Sequence, residues 1–520
     1  SIVLFGQAKE KTDIFILCGD SIEEILMLKK TAENLSAEAE LEKVKSFWHE
    51  KCTKVQISTP DKKLDTLFNG WLIYQVYACR MLARCGFYQA GGAYGFRDQL
   101  QDCLAVMYVD PEKVRKHILL CAAHQFFEGD VQHWWHEPAA GVRTRISDDL
   151  LFLPFVAARY ASVTGDTDIF SETVPYLEGH SLAGKSDLYE SAWQSEKSGT
   201  LKEHCIKAIK LVISRSGKHS LPLILGGDWN DGMNRIGEKS RGESVWLGWF
   251  LYHTISVFLP YAGDDAEMLK EHAKKLCAAL NTVCWDGQWY IRAFSDNGDI
   301  IGSSKSEECQ IDAISQSWAV LSGAGKPEMI RKALKSAEDM LIDKKSGIVK
   351  LLTPPFDKSA GYIGDYIPGV RENGGQYTHG EVWLASAFAQ SGDGEKCCSV
   401  LNMLSPITHS IDKMRAENYM LEPYVMPADV YSNEENVGRG GWSWYTGSAS
   451  MYFCAVLSDL LGIKKEGKNI TVEPHIPFSW QEYRVKLGDT EIKVLNPERK
   501  TEGVSSILKN EEKNEIRAVM

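Results

Sequence analysis

Residues 226–234 carry the densest group of chemically active side chains in this sequence. The segment reads Gly-Gly-Asp-Trp-Asn-Asp-Gly-Met-Asn, so that Asp228 and Asp231 place two carboxyl groups beside Trp229. A carboxyl group next to an indole ring is partly desolvated, which raises its pKa toward the range where it can protonate a leaving oxygen. The segment therefore predicts a general acid. A calcium loop is the competing interpretation, but Met233 is apolar and no bidentate glutamate follows at the required offset.

A second group lies in the glycine-rich stretch of residues 84–102. Arg97 and Asp102 place a guanidinium donor and a carboxylate acceptor at helical spacing, and the glycines permit a tight backbone. Such a pair can face a ligand or form an ordinary salt bridge. Both interpretations stay open from the residues alone.

Two histidines, His133 and His136, flank a pair of tryptophans. Their spacing is compatible with a metal site, but no clear third ligand accompanies them. Hydrogen bonding to a hydroxylated ligand is the favoured interpretation. No metal is predicted.

The last polar group has two parts, residues 366–380 and residues 440–449. Thr446 and Gly447 come directly before an apolar helical pattern at residues 448–460. A hydroxyl group and free backbone N–H groups at a helix start can bind an anion. Thr446 could equally be an ordinary N-cap of that helix.

The hydrophobic pattern predicts a helical scaffold for these groups. Between residues 61 and 462 about a dozen segments have apolar residues at helical spacing, each followed by a loop rich in glycine, proline or aromatic residues. The clearest are 64–82, 111–126, 147–163, 201–213, 243–259, 265–280, 311–321, 326–340, 380–390 and 448–460. Paired helices in this number predict a mainly α fold, a double ring known as an (α/α)6 barrel, with its site at one end.

The flanking segments have different patterns. Residues 1–20 alternate like one or two strands at the end of a β-domain, and residues 21–60 have the pattern of a helical linker with a cap near Ser21. Residues 463–520 predict a C-terminal β-domain, with strands at 470–472, 483–485 and 492–494. The predicted barrel domain is therefore residues 61–462.

Composition excludes several classes of function. A net charge of −12 argues against a nucleic-acid partner, which needs clustered lysine and arginine. No apolar run approaches the roughly 20 residues that span a membrane, and the N-terminus lacks a signal pattern. The 13 cysteines are scattered without metal-binding pairs, which favours a reducing cytoplasm. The 15 tryptophans and 20 tyrosines, clustered beside polar residues, are typical of sugar sites.

Together these segments resemble glycoside hydrolase family 94, which includes cellobiose, cellodextrin, chitobiose and 1,2-β-oligoglucan phosphorylases and the C-terminal part of cyclic β-1,2-glucan synthases. The resemblance runs from about residue 61 to the C-terminal strands. Four motifs occur in the family's order, namely YGFRDQLQD, GDWNDGMN, ENGGQYTHG and WYTGSA. The family's fold implies an N-terminal β-sandwich, a helical linker, the barrel and a C-terminal β-domain. The resemblance implies that residues 1–20 are remnant strands of this sandwich, which in the family would contribute to a homodimer and to part of the acceptor side.

The resemblance also implies roles for individual residues. It makes Asp231 the general acid and leaves Asp228 as a shaping residue. The donor sugar would contact Arg97, Asp102 and Trp229. Phosphate would contact His379, Thr446, Gly447 and an arginine, for which Arg84 is favoured over Arg80 and Arg143. The acceptor sugar would contact Tyr366, Arg371 and Glu372.

The implied reaction is inverting phosphorolysis of a β-1,2- or β-1,4-linked gluco-oligosaccharide or disaccharide. Inorganic phosphate would attack the anomeric carbon while Asp231 protonates the leaving oxygen, giving α-glucose 1-phosphate without a cofactor. An inverting hydrolase on the same barrel is the alternative, because water needs a second carboxylate as base, and Glu372, Glu381 and Glu422 are candidates. A saccharide-binding protein without catalysis is the third interpretation.

Overall fold

The computed structural model describes residues 16–19, 21–83, 89–357 and 360–520. The chain divides into two compact units, residues 1–53 and residues 54–520. Residues 1–20 are predicted to form one or two strands, but residues 1–15 and 20 lie outside the described residues, and residues 16–19 have no regular structure.

The first unit contains two helices in the segment predicted to be a helical linker. They are α1 (Ile22–Ala32) and α2 (Ala37–Thr53). The Ser21 hydroxyl caps α1 by accepting a hydrogen bond from the Glu24 backbone N–H at 3.1 Å, as the sequence predicts.

The second unit contains the other α-helices, which lie between residues 62 and 454. In chain order they are α3 (Lys62–Thr66), α4 (Leu72–Gln75), α5 (Phe96–Val106), α6 (Pro111–Ala122), α7 (Phe152–Thr164), α8 (Leu201–Ser214), α9 (Val245–Phe258), α10 (Ala266–Leu280), α11 (Ala313–Leu321), α12 (Pro327–Leu341), α13 (Thr378–Gln390), α14 (Gly394–Leu404), α15 (Pro406–His409), α16 (Lys413–Tyr419) and α17 (Ser448–Cys454). π-helical turns extend α3 and α4 to Met81, with a kink at Gly70, and extend α17 to Leu460.

Six of these helices form a closed inner ring. Each of α5, α7, α9, α11, α13 and α17 contacts the next in this order, and α17 contacts α5. Helices α4, α6, α8, α10, α12 and α14 each pack against members of the ring. This double ring is the (α/α)6 barrel that the sequence predicts.

The two rings differ in sequence because their helices have different surroundings. Inner helix α9 is apolar on nearly all sides, since its faces meet both the barrel axis and the outer ring. Outer helix α12 buries only Ala333, Leu334, Ala337 and Leu341, which lie on one face. No helix in the described part of the chain is long and apolar enough to cross a membrane.

Helix α5 begins within the glycine-rich stretch of residues 84–102. The polar side chains at 97, 98, 101 and 102 interrupt the apolar pattern, yet residues 96–106 are helical. The side chains at 97, 98 and 101 line a cleft at the start of this inner helix, whereas the Asp102 carboxylate is buried against Arg80.

Short strands connect the helices, and longer strands form the C-terminal module. In chain order they are β1 (Val55–Ser58), β2 (Tyr94–Gly95), β3 (Gln132–His136), β4 (Ala140–Thr144), β5 (Thr173–Glu178), β6 (Asp187–Ser191), β7 (Trp193–Thr200), β8 (Glu243–Ser244), β9 (Ala293–Phe294), β10 (Ile300–Ile301), β11 (Ile311–Asp312), β12 (Ile342–Asp343), β13 (Ile348–Val349), β14 (Leu352–Thr353), β15 (Gln376–Tyr377), β16 (Asp429–Val430), β17 (Ile463–Glu466), β18 (Asn469–Val472), β19 (Glu482–Leu487), β20 (Thr490–Leu495), β21 (Ser506–Asn510) and β22 (Glu515–Val519).

The C-terminal module contains a two-stranded sheet, β17-β18, and a five-stranded sheet in the order β1-β19-β20-β22-β21. Strands β18, β19 and β20 contain the three strand segments predicted from sequence. Strand β1 comes from the end of the predicted linker and pairs with β19, with Val55 opposite Leu487. The chain therefore contributes to this module both before and after the barrel.

Candidate active site

A cleft of about 260 Å³ lies where inner helices α5, α13 and α17 begin. Most of the residues predicted for a site line it together. They are Asp231, Arg97, Trp229, Tyr366, Arg371, Glu372, His379, Thr446 and Gly447. The structure thus brings four separate sequence segments into one place.

The two carboxylates of residues 226–234 have different surroundings. Asp228 is fully buried, and its oxygens accept hydrogen bonds from Arg292 at 2.6 and 2.7 Å and from Ser244 at 2.6 Å. Burial alone would raise the pKa of Asp228, but the Arg292 guanidinium outweighs it and holds the pKa below its usual value. Asp231 lines the cleft and its side chain is 31% exposed. Only Asp231 of this pair can therefore meet a ligand in the cleft.

The surroundings of Asp231 differ from the desolvated setting that the Trp229 neighbour predicts. Its Oδ1 accepts a hydrogen bond from Arg97 Nη2 at 2.6 Å. The Trp229 indole instead packs against Trp383 at 4.7 Å and His379 at 5.1 Å between ring centroids. Contacts across the barrel, and not the neighbouring indole, hold the carboxylate.

The segment before α7 and the loop of residues 226–234 hold the arginine in turn. Arg97 Nη1 donates to Asp148 Oδ1 at 2.8 Å, just before the start of α7, and to the Asp228 carbonyl at 3.1 Å. The guanidinium is nearly buried, so its position is determined by these acceptors.

His133 is a cleft residue whose contact with Asp231 the sequence does not reveal. Its Nδ1 lies 2.8 Å from Asp149 Oδ2, and its Nε2 lies 3.7 Å from Asp231 Oδ2. Burial would lower the pKa of His133, but Asp149 and Asp231 outweigh it and raise the pKa to about 9. The ring is therefore a cation at neutral pH. Among the described residues no group of three His, Cys, Asp or Glu side chains could hold a metal ion.

One corner of the cleft lies between the starts of α13 and α17. His379 lies in the first turn of α13, and Gly447 precedes α17. A Cβ atom on Gly447 would lie 3.0 Å from His379 Nδ1 and 3.8 Å from Arg80 Nη2. Glycine at 447 thus leaves open a space that an imidazole and a guanidinium both border.

The protonation state of His379 suits this corner. Burial, reinforced by Arg80, lowers the pKa of His379 to about 3, so the ring is neutral. Its Nε2 is buried without a hydrogen-bond partner among the described residues. The ring atoms that border the space at Gly447 are Nδ1 and Cε1. The Thr446 hydroxyl accepts a hydrogen bond from the Ser448 N–H at 3.2 Å, so it also serves the helix start.

One predicted residue is placed differently. Asp102 is fully buried and accepts a hydrogen bond from Arg80 Nε at 2.7 Å. The acid of α5 that lines the cleft is Asp98, one residue after Arg97. One helical turn separates positions 98 and 102, which puts Asp98 at the mouth and Asp102 behind Arg80.

Among the described residues, Arg80 is the arginine that borders this corner, and its guanidinium lies 4.3 Å from the Tyr445 ring centroid. Arg84 lies outside the described residues. Arg143 is occupied elsewhere, since its Nε and Nη2 donate to Asp130 at 2.7 and 2.6 Å.

The opposite wall contains Tyr366, Arg371 and Glu372. Arg371 has a left-handed backbone, with φ of 51°, and its guanidinium lies 4.9 Å from the Tyr366 ring centroid. Its Nε lies 3.3 Å from Glu372 Oε2. Burial raises the pKa of Glu372 despite this neighbour. Further cleft residues that the sequence did not single out are Tyr362, Tyr377, Asp429, Trp442 and Tyr445.

The candidate bases of the hydrolase alternative are not equivalent. Glu372 lines the cleft, whereas Glu381 is fully buried within α13. Glu422 Oε1 accepts a hydrogen bond from the Trp444 indole at 2.9 Å. Only Glu372 of these three is among the residues that line the described cleft.

Comparison with known proteins shows the family to which this chain belongs. The model of the glycosyl hydrolase 94 superfamily, catalytic domain, matches residues 47–462. Cyclic β-(1,2)-glucan synthase of Rhizobium meliloti (strain 1021) is 45% identical over 86% of this chain and 16% of its own length. Solabiose phosphorylase of Paenibacillus borealis is 30% identical over 84% of this chain and 54% of its own length. The chain thus spans about half the length of the phosphorylase and 16% of the length of the synthase.

A solved structure shares the architecture. The GH78 family rhamnosidase of Bacillus sp. GL1 matches with a TM-score of 0.55 and 14% identity, over 90% of this chain and 43% of that one. At this identity the likeness shows the fold alone.

Proposed function

Because this chain belongs to the glycosyl hydrolase 94 superfamily and contains its catalytic domain, we propose that it carries out inverting phosphorolysis of β-linked gluco-oligosaccharides. The products are α-glucose 1-phosphate and a saccharide shortened by one unit. The observation that carries this proposal is the cleft itself, which is lined both by Asp231 and by a corner built from Arg80, neutral His379 and Gly447. One acid and one anion site are what phosphorolysis requires.

The charge distribution supports phosphate as the nucleophile. Helices α13 and α17 both begin at the corner, and helix N-termini favour anions through their free N–H groups. Arg80 adds a fixed positive charge, and His379 adds a hydrogen-bond donor or acceptor. Phosphate arrives as an anion, so no base is needed to activate it. No cofactor takes part.

In the proposed step, a phosphate oxygen forms a bond to the anomeric carbon while the glycosidic bond breaks on the opposite face. Asp231 transfers its proton to the departing glycosidic oxygen, and the acceptor leaves as an alcohol. Attack from the opposite face converts the β-glycoside into an α-phosphate. Arg97 holds the Asp231 carboxyl group in place at 2.6 Å.

The donor glucosyl unit would lie between Asp98, Arg97 and the Trp229 wall, and the acceptor beside Tyr366, Arg371 and Glu372. β-1,2-linked gluco-oligosaccharides are the first substrates to try, because the relative at 45% identity is a cyclic β-(1,2)-glucan synthase. β-1,4-linked gluco-oligosaccharides are the second.

The test is incubation of the protein with each oligosaccharide series, with and without inorganic phosphate. Phosphorus and proton NMR would report glucose 1-phosphate and the configuration at its anomeric carbon. We expect sugar release that requires phosphate and gives the α-anomer. Release of free glucose at the same rate without phosphate would instead support the hydrolase, with Glu372 as base.

A further inference from the structure

The aromatic lining of the cleft reaches solvent on its acceptor side. Arg97 and Trp229, which the proposed function places beside the donor unit, are only 7% and 8% exposed. Among the described aromatic residues that line the cleft, Tyr362 and Trp442 are the most exposed, at 40% and 52%. The cleft wall therefore presents these two rings to water.

Both rings adjoin residues proposed for the acceptor. The Tyr362 and Tyr366 ring centroids are 6.2 Å apart, with 87° between the ring planes. The Trp442 ring centroid lies 5.9 Å from the guanidinium carbon of Arg371, which lies 4.9 Å from the Tyr366 ring centroid. Arg371 thus borders both the Tyr366 and the Trp442 rings, and Trp442 is the more exposed of the two.

The two exposed rings are held by different parts of the protein. The Tyr362 backbone N–H donates a hydrogen bond to Asn234 Oδ1 at 3.1 Å, in the same segment as Asp231. Burial, and after it the Asp231 carboxylate, raises the pKa of Tyr362. Tyr362 therefore belongs beside the bond that Asp231 would cleave, and Trp442 is the exposed ring left for a chain that continues past it.

Hydrogen bonds within the protein fix the Trp442 ring in its exposed position. The backbone N–H of Trp442 donates to Asp429 Oδ1 at 2.9 Å, and its indole N–H donates to the Tyr445 carbonyl at 3.0 Å. A Cβ atom on Gly441 would lie 2.5 Å from Asp429 Oδ1, so glycine lets this segment approach Asp429 closely. Because the indole N–H already has a partner, what Trp442 offers to solvent is the carbon surface of its ring.

We propose that Trp442 binds the second sugar unit on the acceptor side, so that the protein prefers trisaccharides and longer chains to disaccharides. The proposal rests on the proposed function, because a reaction that removes one terminal glucosyl unit leaves the rest of the chain on this side. The first acceptor unit would lie beside Tyr366, Arg371 and Glu372, and the next unit would lie toward solvent. Aromatic rings at such positions bind the C–H faces of pyranose rings.

Trp442 could instead serve only to orient Arg371, since a guanidinium within about 6 Å of a ring centroid is attracted to the ring. That role would affect the first acceptor unit, which every substrate has. The two roles therefore differ in whether the effect of substitution depends on chain length.

The test compares Trp442→Ala and Trp442→Phe with the unsubstituted protein. The measured quantity is the ratio of kcat/KM for a β-1,2-linked trisaccharide to that for the disaccharide, in the presence of phosphate. We expect Trp442→Ala to lower this ratio by about tenfold, the effect of one lost ring contact. Trp442→Phe keeps a smaller ring and should give an intermediate ratio. The β-1,4-linked series is used if it is the one cleaved.

Trp193→Ala is the matched control, because Trp193 is 48% exposed and does not line the cleft. It should leave the ratio unchanged. An equal loss on both substrates in Trp442→Ala, with the ratio at the unsubstituted value, would show that the ring acts only through Arg371 and would overturn the proposal. If Trp442→Ala does not fold, as judged by its melting temperature, the ratio for Trp442→Phe decides in the same way.

Failure of the proposed function gives a different result. The unsubstituted protein would then cleave neither series with phosphate, and calorimetric titration with both trisaccharides would test Trp442 alone. Weaker binding by Trp442→Ala than by Trp193→Ala would support the proposal, and equal or absent binding would overturn it.

Discussion

Asp231 and Arg97 are joined by a hydrogen bond of 2.6 Å, although 134 residues separate them in the chain. Asp148 holds the same guanidinium at 2.8 Å. The proposed acid therefore has a defined position before any substrate arrives. Precise placement of a catalytic group is a large part of catalysis, because misplacement by even 1 Å is costly.

Substitution of Asp231 by asparagine should lower the rate of phosphorolysis by on the order of 10³-fold, since the amide keeps the shape but cannot supply the acid proton. The melting temperature should change little because the side chain is partly exposed. Initial rates of glucose 1-phosphate release measure the effect. With β-glucosyl fluoride as substrate, the Asp231→Asn variant should lose much less activity, because the leaving fluoride ion needs no proton. Unchanged activity on oligosaccharides would instead move the acid to another carboxyl group, with Glu372 the first candidate.

The Asp228→Asn substitution should lower the free energy of unfolding. It removes the charge that compensates fully buried Arg292, and breaking such a pair costs about 3–5 kcal/mol. Chemical denaturation should show a clear fall in the unfolding midpoint. Asp231→Asn is the matched control. Equal midpoints for the two variants would show that the Asp228 pair contributes little to the fold.

His379→Ala should raise the KM for phosphate by about 10- to 100-fold, because it removes a hydrogen bond to a charged ligand. The KM for the saccharide should rise much less. Steady-state kinetics with phosphate and saccharide varied in turn separate the two. His136→Ala, a substitution in β3 outside the cleft lining, should leave the phosphate KM unchanged. An equal rise in both constants for His379→Ala would contradict the anion role.

His133 should make stability depend on pH. Its folded pKa of about 9 is above the unfolded value of about 6.5, so its contribution is complete below pH 6.5 and disappears as pH rises through 9. The difference in unfolding free energy between the unsubstituted protein and His133→Gln should therefore shrink across this window. Denaturation at several pH values measures it.

His180→Gln provides the control for this pH series, since its ring is 78% exposed beside Glu190. We expect a small difference there at every pH. A His133→Gln difference that stays constant from pH 6.5 to 9 would show that the imidazole does not form its ion pairs with Asp149 and Asp231.

The sequence by itself determined the barrel and the residues that could form its site. Helical periodicity predicted most of the two rings, because the burial of one face is a local property of each helix. The motifs likewise identified Asp231, His379, Thr446 and Gly447 from residue type and order.

Only the tertiary structure decided which of these groups meet. It placed Asp98 in the cleft and Asp102 behind Arg80, buried Asp228 on Arg292, and brought His133 to Asp231. The residues are chemically alike, so nothing local distinguishes one aspartate from the next. Their roles depend on the closure of six helices into a ring, which sets distances between residues far apart in the chain.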